Sequence, residues 1–189
     1  AINISSRAQN APSQDELVVE FYSIPSPDEI LNYIHQNQID YTPRLLVSTQ
    51  KKNQYNTFKE RLLSYGFYTA NMAYAMSFEQ TNTALEYFDI TDNLGKNLNI
   101  FPPETEKLTR RLMRNMNNID SLNMLYDEIY LTAVANLHDT ERFGEYALIS
   151  AGGFVESLYL ALNSGGRRGL EDDFRMRIWD QKMILDQII

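Results

Sequence analysis

The stretch that decides the fold is Glu141–Asn163, ERFGEYALISAGGFVESLYLALN, the most apolar run in the chain. Leu148, Gly152, Val155, Tyr159 and Leu162 recur at helical spacing and define one face. Ile149, Gly153, Glu156 and Leu160 define a second face beside it. A helix apolar around most of its circumference belongs in an interior, so the other segments are expected to pack around this one. Two adjacent glycines cost a helix roughly 2 kcal/mol relative to alanines, and something must offset that. Three readings stand open for Gly152 and Gly153: close approach of another helix, the floor of a ligand site edged by Glu156 and Tyr159, or a break in the helix. Glu156 is the lone acid in the middle of this stretch. In a core it needs a partner, such as a tyrosine hydroxyl or a backbone amide.

Working outward, the segment Phe67–Phe78 is rich in small residues and is the expected partner of the glycine pair. Its polar member Asn71 reads as a buried amide bonded to a backbone group or a tyrosine, or as a site residue beside Glu156. Other amphipathic segments follow from apolar spacing. They are Tyr55–Tyr65 with Phe58, Leu62 and Tyr65 inward, Thr81–Leu98, Thr105–Met116, and a helix from Asp120 or Ser121 to Leu137. Ser26-Pro27-Asp28-Glu29 carries a capping box and a proline suited to the first helical turn, opening a helix to about Gln38. Pro43 opens a turn or short helix through Val47, and residues 48–53 form a polar link. Thr140 is placed to cap the central helix. Residues 164–169 (SGGRRG) break the chain before a last helix bearing Phe174, Ile178, Leu185 and Ile188. The expected fold class is all-α: a single-domain bundle of about seven or eight helices over residues 21–189, with residues 1–20 as a tail or tether. Short links make neighbours antiparallel.

Composition restricts function. A net charge of −8 argues against nucleic-acid binding through phosphate neutralisation. With no cysteine, disulfides and thiolate metal sites are excluded, and two histidines far apart in sequence do not suggest a zinc site. No run reaches the ~20 apolar residues of a membrane span. Phosphate-loop, nucleophile-elbow and Glu-x-x-His signatures are all missing from the sequence. The acids around His138 (Asp139, Glu141, Glu145) match no metal-loop spacing and read as an acidic junction. Lys107, Arg110, Arg111 and Arg114 form a basic face, read as a solvated surface rather than an anion site. No cofactor and no metal is expected.

Three segments carry a resemblance: Tyr22–Pro27 (YSIPSP), Tyr65–Tyr74 (YGFYTANMAY) and Ala151–Tyr159 (AGGFVESLY), with the ending Gln181–Asp186 (QKMILD). Together they resemble a family of uncharacterised all-helical Bacteroidetes exported proteins, predicted to be lipoproteins. The resemblance spans about residues 20–189, and its motifs are packing motifs. It implies a periplasmic or outer-membrane-anchored protein, tethered by residues 1–20 to a lipid anchor upstream. It also sets a glycine against Thr69 and an aspartate against Asn71. An acid at position 71 is then dispensable here, which counts against a carboxylate mechanism.

Three functions follow as expectations. The first is a non-enzymatic exported helical domain that binds a protein partner or small ligand at the cell envelope. The second is an enzyme with an occluded site lined by Tyr68, Asn71, Tyr74, Glu156 and Tyr159. The third is a structural or assembly module using an apolar patch on the last helix.

Overall fold

The computed structural model describes residues 40–115 and 119–164, and in them the chain is all helical. Five α-helices are present: α1 (Phe58–Ser77), α2 (Thr81–Asn97), α3 (Thr105–Arg114), α4 (Ile119–Asp139) and α5 (Phe143–Ser164). Two short 3-10 helices, Pro43–Leu45 and Thr49–Asn53, precede them. The expected tail, the Ser26 capping box with its helix, Met116, the break after Ser164 and the last helix lie outside the described residues. No helix among the described residues is long and apolar enough to cross a membrane.

The two segments expected on either side of Gly66 form one continuous helix, α1. Its start is fixed by a capping box. Thr57 Oγ1 accepts from the Glu60 amide (3.2 Å), and Glu60 Oε2 accepts from the Thr57 amide (2.9 Å). These bonds favour the ionised carboxylate and hold the Glu60 pKa below its ordinary value. With the helix starting at Phe58, that ring points outward and is 53% exposed, not inward. Thirteen of the twenty residues of α1 are buried, against eight of the twenty-two of α5. The centre of the bundle is therefore α1, and the apolar stretch that led the sequence reading packs on its side.

Three helices end in the same way. Glu79, Asn99 and Glu141 take left-handed φ values of 57°, 51° and 56° just after α1, α2 and α4. In each case the next residue's amide reaches back five residues: Gln80 to Ala75, Ile100 to Gly95, and Arg142 to Leu137. The left-handed residue itself donates to Met76, Lys96 and His138 respectively. This is the Schellman arrangement, usually completed by glycine. It turns the chain within a few residues, linking α1 closely to α2 and leading α4 directly into α5. Thr140 belongs to this junction: its hydroxyl donates to the Asn136 carbonyl at the end of α4 (2.6 Å) and does not cap α5. Asp120 and Ser121 likewise lie inside α4, which begins at Ile119.

Two buried clusters fill the interior. One joins Tyr68, Met72 and Met76 of α1 to Phe88 of α2, Leu112 of α3, and Leu125 and Ile129 of α4. The other joins Leu62 and Tyr65 to Leu98, Ile100, Val134, Leu137 and Ile149. Side chains stitch the second cluster: Asn136 Nδ2 donates to the Ile100 carbonyl (2.8 Å), and Arg142 donates to the Leu98 carbonyl (2.7 Å). Arg142 thereby occupies carbonyls at the C-terminal end of α2, where a cation is favoured.

Candidate functional site

Every candidate residue lies on α1 or α5, and the interface of these helices brings some of them together. Leu63 meets Gly152, Gly66 meets Ile149 and Gly153, Asn71 meets Glu156, and Tyr74 meets Ser164. Residue numbers rise together on both helices, so the two run side by side in the same direction. At the glycines the backbones touch. A Cβ on Gly66 would stand 2.7 Å from Gly153 N and 3.0 Å from the Ile149 carbonyl carbon, and closer still to Ile149 O. A Cβ on Gly152 would stand 3.0 Å from the Leu63 carbonyl carbon. Close helix approach is thus the reading realised, and α5 is unbroken through the pair. The partner differs from expectation. Leu63 and Gly66 face the glycines, and the Tyr68–Ala75 segment packs further along. The reason is the parallel register, which puts position 71 level with 156.

One turn beyond this contact, Asn71 and Glu156 meet. Asn71 is fully buried. Its Nδ2 donates to the Phe67 carbonyl (2.7 Å) and to Glu156 Oε1 (2.9 Å), and its Oδ1 accepts from the Val47 amide (2.9 Å). The side chain thereby spends both donor hydrogens and an acceptor position. Burial raises the Glu156 pKa, and the Asn71 hydrogen bond offsets part of that rise.

The other residues of the sequence-derived set are placed apart from this pair. Tyr74 Oη lies 3.0 Å from Ser164 Oγ and accepts from the Thr42 amide (3.0 Å). Since the Ser164 hydroxyl donates to the Leu160 carbonyl (2.6 Å), Tyr74 is the donor to Ser164. Tyr68 is fully buried among aromatic rings, edge-on to Tyr55 (6.3 Å) and tilted on Tyr87 (6.1 Å). Burial pushes the Tyr68 phenol up to about 12. Tyr159 points outward and is 45% exposed, with Val155 at 62% and Leu162 at 42%. Of the expected face Leu148–Gly152–Val155–Tyr159–Leu162, Gly152 is buried against α1 and Leu148 packs on the second cluster, and only Val155, Tyr159 and Leu162 turn outward. The buried face of α5 runs through Tyr146, Ile149, Gly152, Gly153, Ser157, Leu160 and Ser164. No hydrogen bond among the described residues joins Tyr68, Tyr74 or Tyr159 to the Asn71–Glu156 pair.

Sequence reasoning did not find what this polar group holds. Residues 41–47 lie as a strap across α1, between α2 and α5. The Val47 peptide is gripped at both ends: its amide by Asn71 and its carbonyl by the Tyr87 hydroxyl (2.6 Å). Tyr41 stacks on Tyr74 (5.5 Å between centroids) and lies tilted against Phe78 (5.5 Å). Tyr87 is the residue the sequence reading missed. It falls on the inward face of α2 beside Ala84 and Phe88, but nothing local to it signals a partner forty residues away.

Two interior spaces among the described residues lie away from the Asn71–Glu156 pair. Two cavities of about 20 Å³ each sit where α3 and α4 cover α1 and α2. Met72, Phe88, Leu112 and Tyr126 line both, and Tyr65 and Thr69 edge the first. Each has room for about one water molecule. Near the acidic junction, Glu145 pairs with Arg142 and His138 Nδ1 lies 3.2 Å from Asp139. No group of three or more ligating side chains is assembled among the described residues. On the basic face, Arg110 pairs with Glu106 and Arg111 with Glu128, each at 3.4 Å. These exposed pairs contribute little to stability. No protein-family model matches this chain, and comparisons with curated proteins and with solved structures find no similar protein.

Proposed function

We propose that this is a non-enzymatic helical domain that binds a partner protein through the outer face of α5. The observation that carries this reading is the stripe Val155, Tyr159 and Leu162. These are three large apolar side chains at helical spacing, each more than 40% exposed, on a helix whose opposite face is locked to α1. Isolated exposed apolar residues are ordinary, but an aligned set on a rigid helix is the arrangement used in helix-to-groove recognition. Tyrosine at the centre suits such a contact because it supplies a large area at low conformational cost. The resemblance to exported Bacteroidetes proteins supports placing this contact at the cell envelope.

A photo-crosslinking residue at position 159, expressed in the cell of origin, tests the proposal. The expected result is one discrete adduct that Val155→Glu with Leu162→Glu abolishes and Phe58→Glu leaves intact. A crosslinking pattern indifferent to the stripe overturns it. Catalytic turnover that disappears in a folded Glu156→Gln variant would also overturn it, in favour of an enzyme centred on Glu156 and Asn71.

A further inference from the structure

We propose that the channel between α1, α2 and α5 is a peptide-binding groove, and that residues 41–47 are its intramolecular occupant. A partner segment of the same chemistry would displace them: an aromatic residue followed, after a proline turn, by an apolar run. The inference rests on the strap and is independent of the α5 stripe.

The groove holds the strap mainly through main-chain atoms. Tyr74 Oη takes the Thr42 amide, Asn71 Oδ1 takes the Val47 amide, and Tyr87 Oη gives its proton to the Val47 carbonyl. Side chains that read backbone groups accept any sequence able to present them at that spacing. Specificity comes from two further features. Tyr74 and Phe78 form an aromatic seat for the ring of Tyr41. Leu45, Leu46 and Val47 rest on the cluster built from Tyr68, Met72 and Phe88. The groove side is rigid. Asn71 is anchored by Phe67 and Glu156, and Tyr74 by Ser164, none of which belongs to the strap.

The occupant is held less firmly than its seat. No residue of the Pro43–Leu45 turn is buried, and Tyr41, Thr42, Leu46 and Val47 are only partly covered. The α1–α5 backbone contact at Gly66 and Gly152 does not involve the strap, and the strap packs on the first cluster from outside while supplying none of the buried members of either cluster. Release of residues 41–47 is therefore a local opening that leaves the bundle standing. In the closed chain the tethered strap competes at an effective concentration in the millimolar range. A free segment then binds measurably only when the strap is weakened or absent from the groove.

The experiment uses the full chain and a fluorescein-labelled synthetic peptide with the sequence of residues 40–48 (DYTPRLLVS). Tyr41→Ala with Val47→Pro weakens the strap and leaves the groove side chains unchanged. Leu46 already has the extended conformation (φ −67°, ψ 139°) that a following proline requires. The expected result is saturable binding at least about tenfold tighter than to the wild-type chain. Adding Tyr87→Phe should weaken it about fivefold, the equivalent of one neutral hydrogen bond. A folded strap variant that does not bind the peptide, or binding indifferent to Tyr87, overturns the proposal. So does a strap-exchanged dimer in light scattering with no peptide binding. If the strap variant fails to fold, hydrogen exchange of the wild-type Thr42 and Val47 amides decides. Exchange many times faster than that of the α1 core amides supports the proposal, and exchange only by global unfolding refutes it.

Discussion

Gly66→Ala is the perturbation that tests the centre of the fold most directly. The added methyl would lie 2.7 Å from Gly153 N and 3.0 Å from the Ile149 carbonyl carbon, with Ile149 O nearer still. Carbon atoms pack comfortably at about 3.5–4.0 Å, so the two backbones must separate by on the order of 1 Å. No side chain can rotate away, because every obstacle is main chain. Overpacking of this kind costs about 1–3 kcal/mol, and a rigid obstacle places this case near 3. Replacing a mid-helix glycine by alanine returns about 1 kcal/mol. The net expectation is a loss of about 2 kcal/mol, or about 4–8 °C in Tm for a chain of this size. Gly152→Ala, which meets the Leu63 carbonyl, should behave alike. Gly144 is the control: nothing lies within 4 Å of its would-be Cβ, so Gly144→Ala should gain up to about 1 kcal/mol. The assay is urea unfolding followed by far-UV circular dichroism on all three variants. Equal gains in Gly66→Ala, Gly152→Ala and Gly144→Ala would refute the claim that backbone contact between α1 and α5 organises the bundle.

Other expectations follow from the same geometry. Asn71→Ala strands the Val47 amide and removes the neutral partner of Glu156. It should lower stability by about 2–4 kcal/mol, and a loss below 1 kcal/mol in chemical denaturation would contradict the bonding described. Glu156 has a folded pKa raised above its ordinary value. The folded state therefore holds the proton more tightly, and stability is lost as pH rises from the ordinary carboxylate range through the raised value. Glu156→Gln keeps an acceptor for Asn71 and should be more stable than the wild-type chain at pH 7. That gain should vanish below the ordinary carboxylate pKa, which a pair of melting curves against pH will reveal. Finally, Glu141→Gly removes the steric cost of a left-handed residue that closes α4. Thermal unfolding should show about 0.5–1 kcal/mol of stabilisation, and a destabilised variant would mean that the Glu141 side chain matters more than its backbone.

How far the sequence reached can be judged residue by residue. The helical class was legible; close helix approach was one of three readings of the glycine pair, and a place for Asn71 beside Glu156 was one alternative for that amide, because small residues and lone polar groups in apolar helices demand a neighbour without naming it. The continuity of α1 was left open, with Gly66 read as either ending a helix or lying within it. Gly66 resembles a helix end when read locally, and the capping box at Thr57 and Glu60 is decisive only once the helix is known to pass through it. The ends of α1, α2 and α4 lie within two residues of the expected Phe78, Leu98 and Leu137, but their left-handed closure at Glu79, Asn99 and Glu141 was hidden because the usual glycine is missing there. The outward orientation of Val155, Tyr159 and Leu162 was also hidden. A helix apolar all round has no periodic signal to say which side faces the core.

By itself, the sequence determined the all-helical class and the places where the chain turns, and it offered close backbone approach as one of three readings of Gly152 and Gly153. Those are consequences of local spacing, capping and missing side chains, which each segment carries wherever it packs. Only the tertiary structure decided that α1 is central, that α1 and α5 run in parallel, and that Asn71, Tyr74 and Tyr87 grip residues 41–47. Those outcomes depend on which faces meet across thirty to ninety residues of chain. They are set by the summed packing of several helices, and no single segment encodes them.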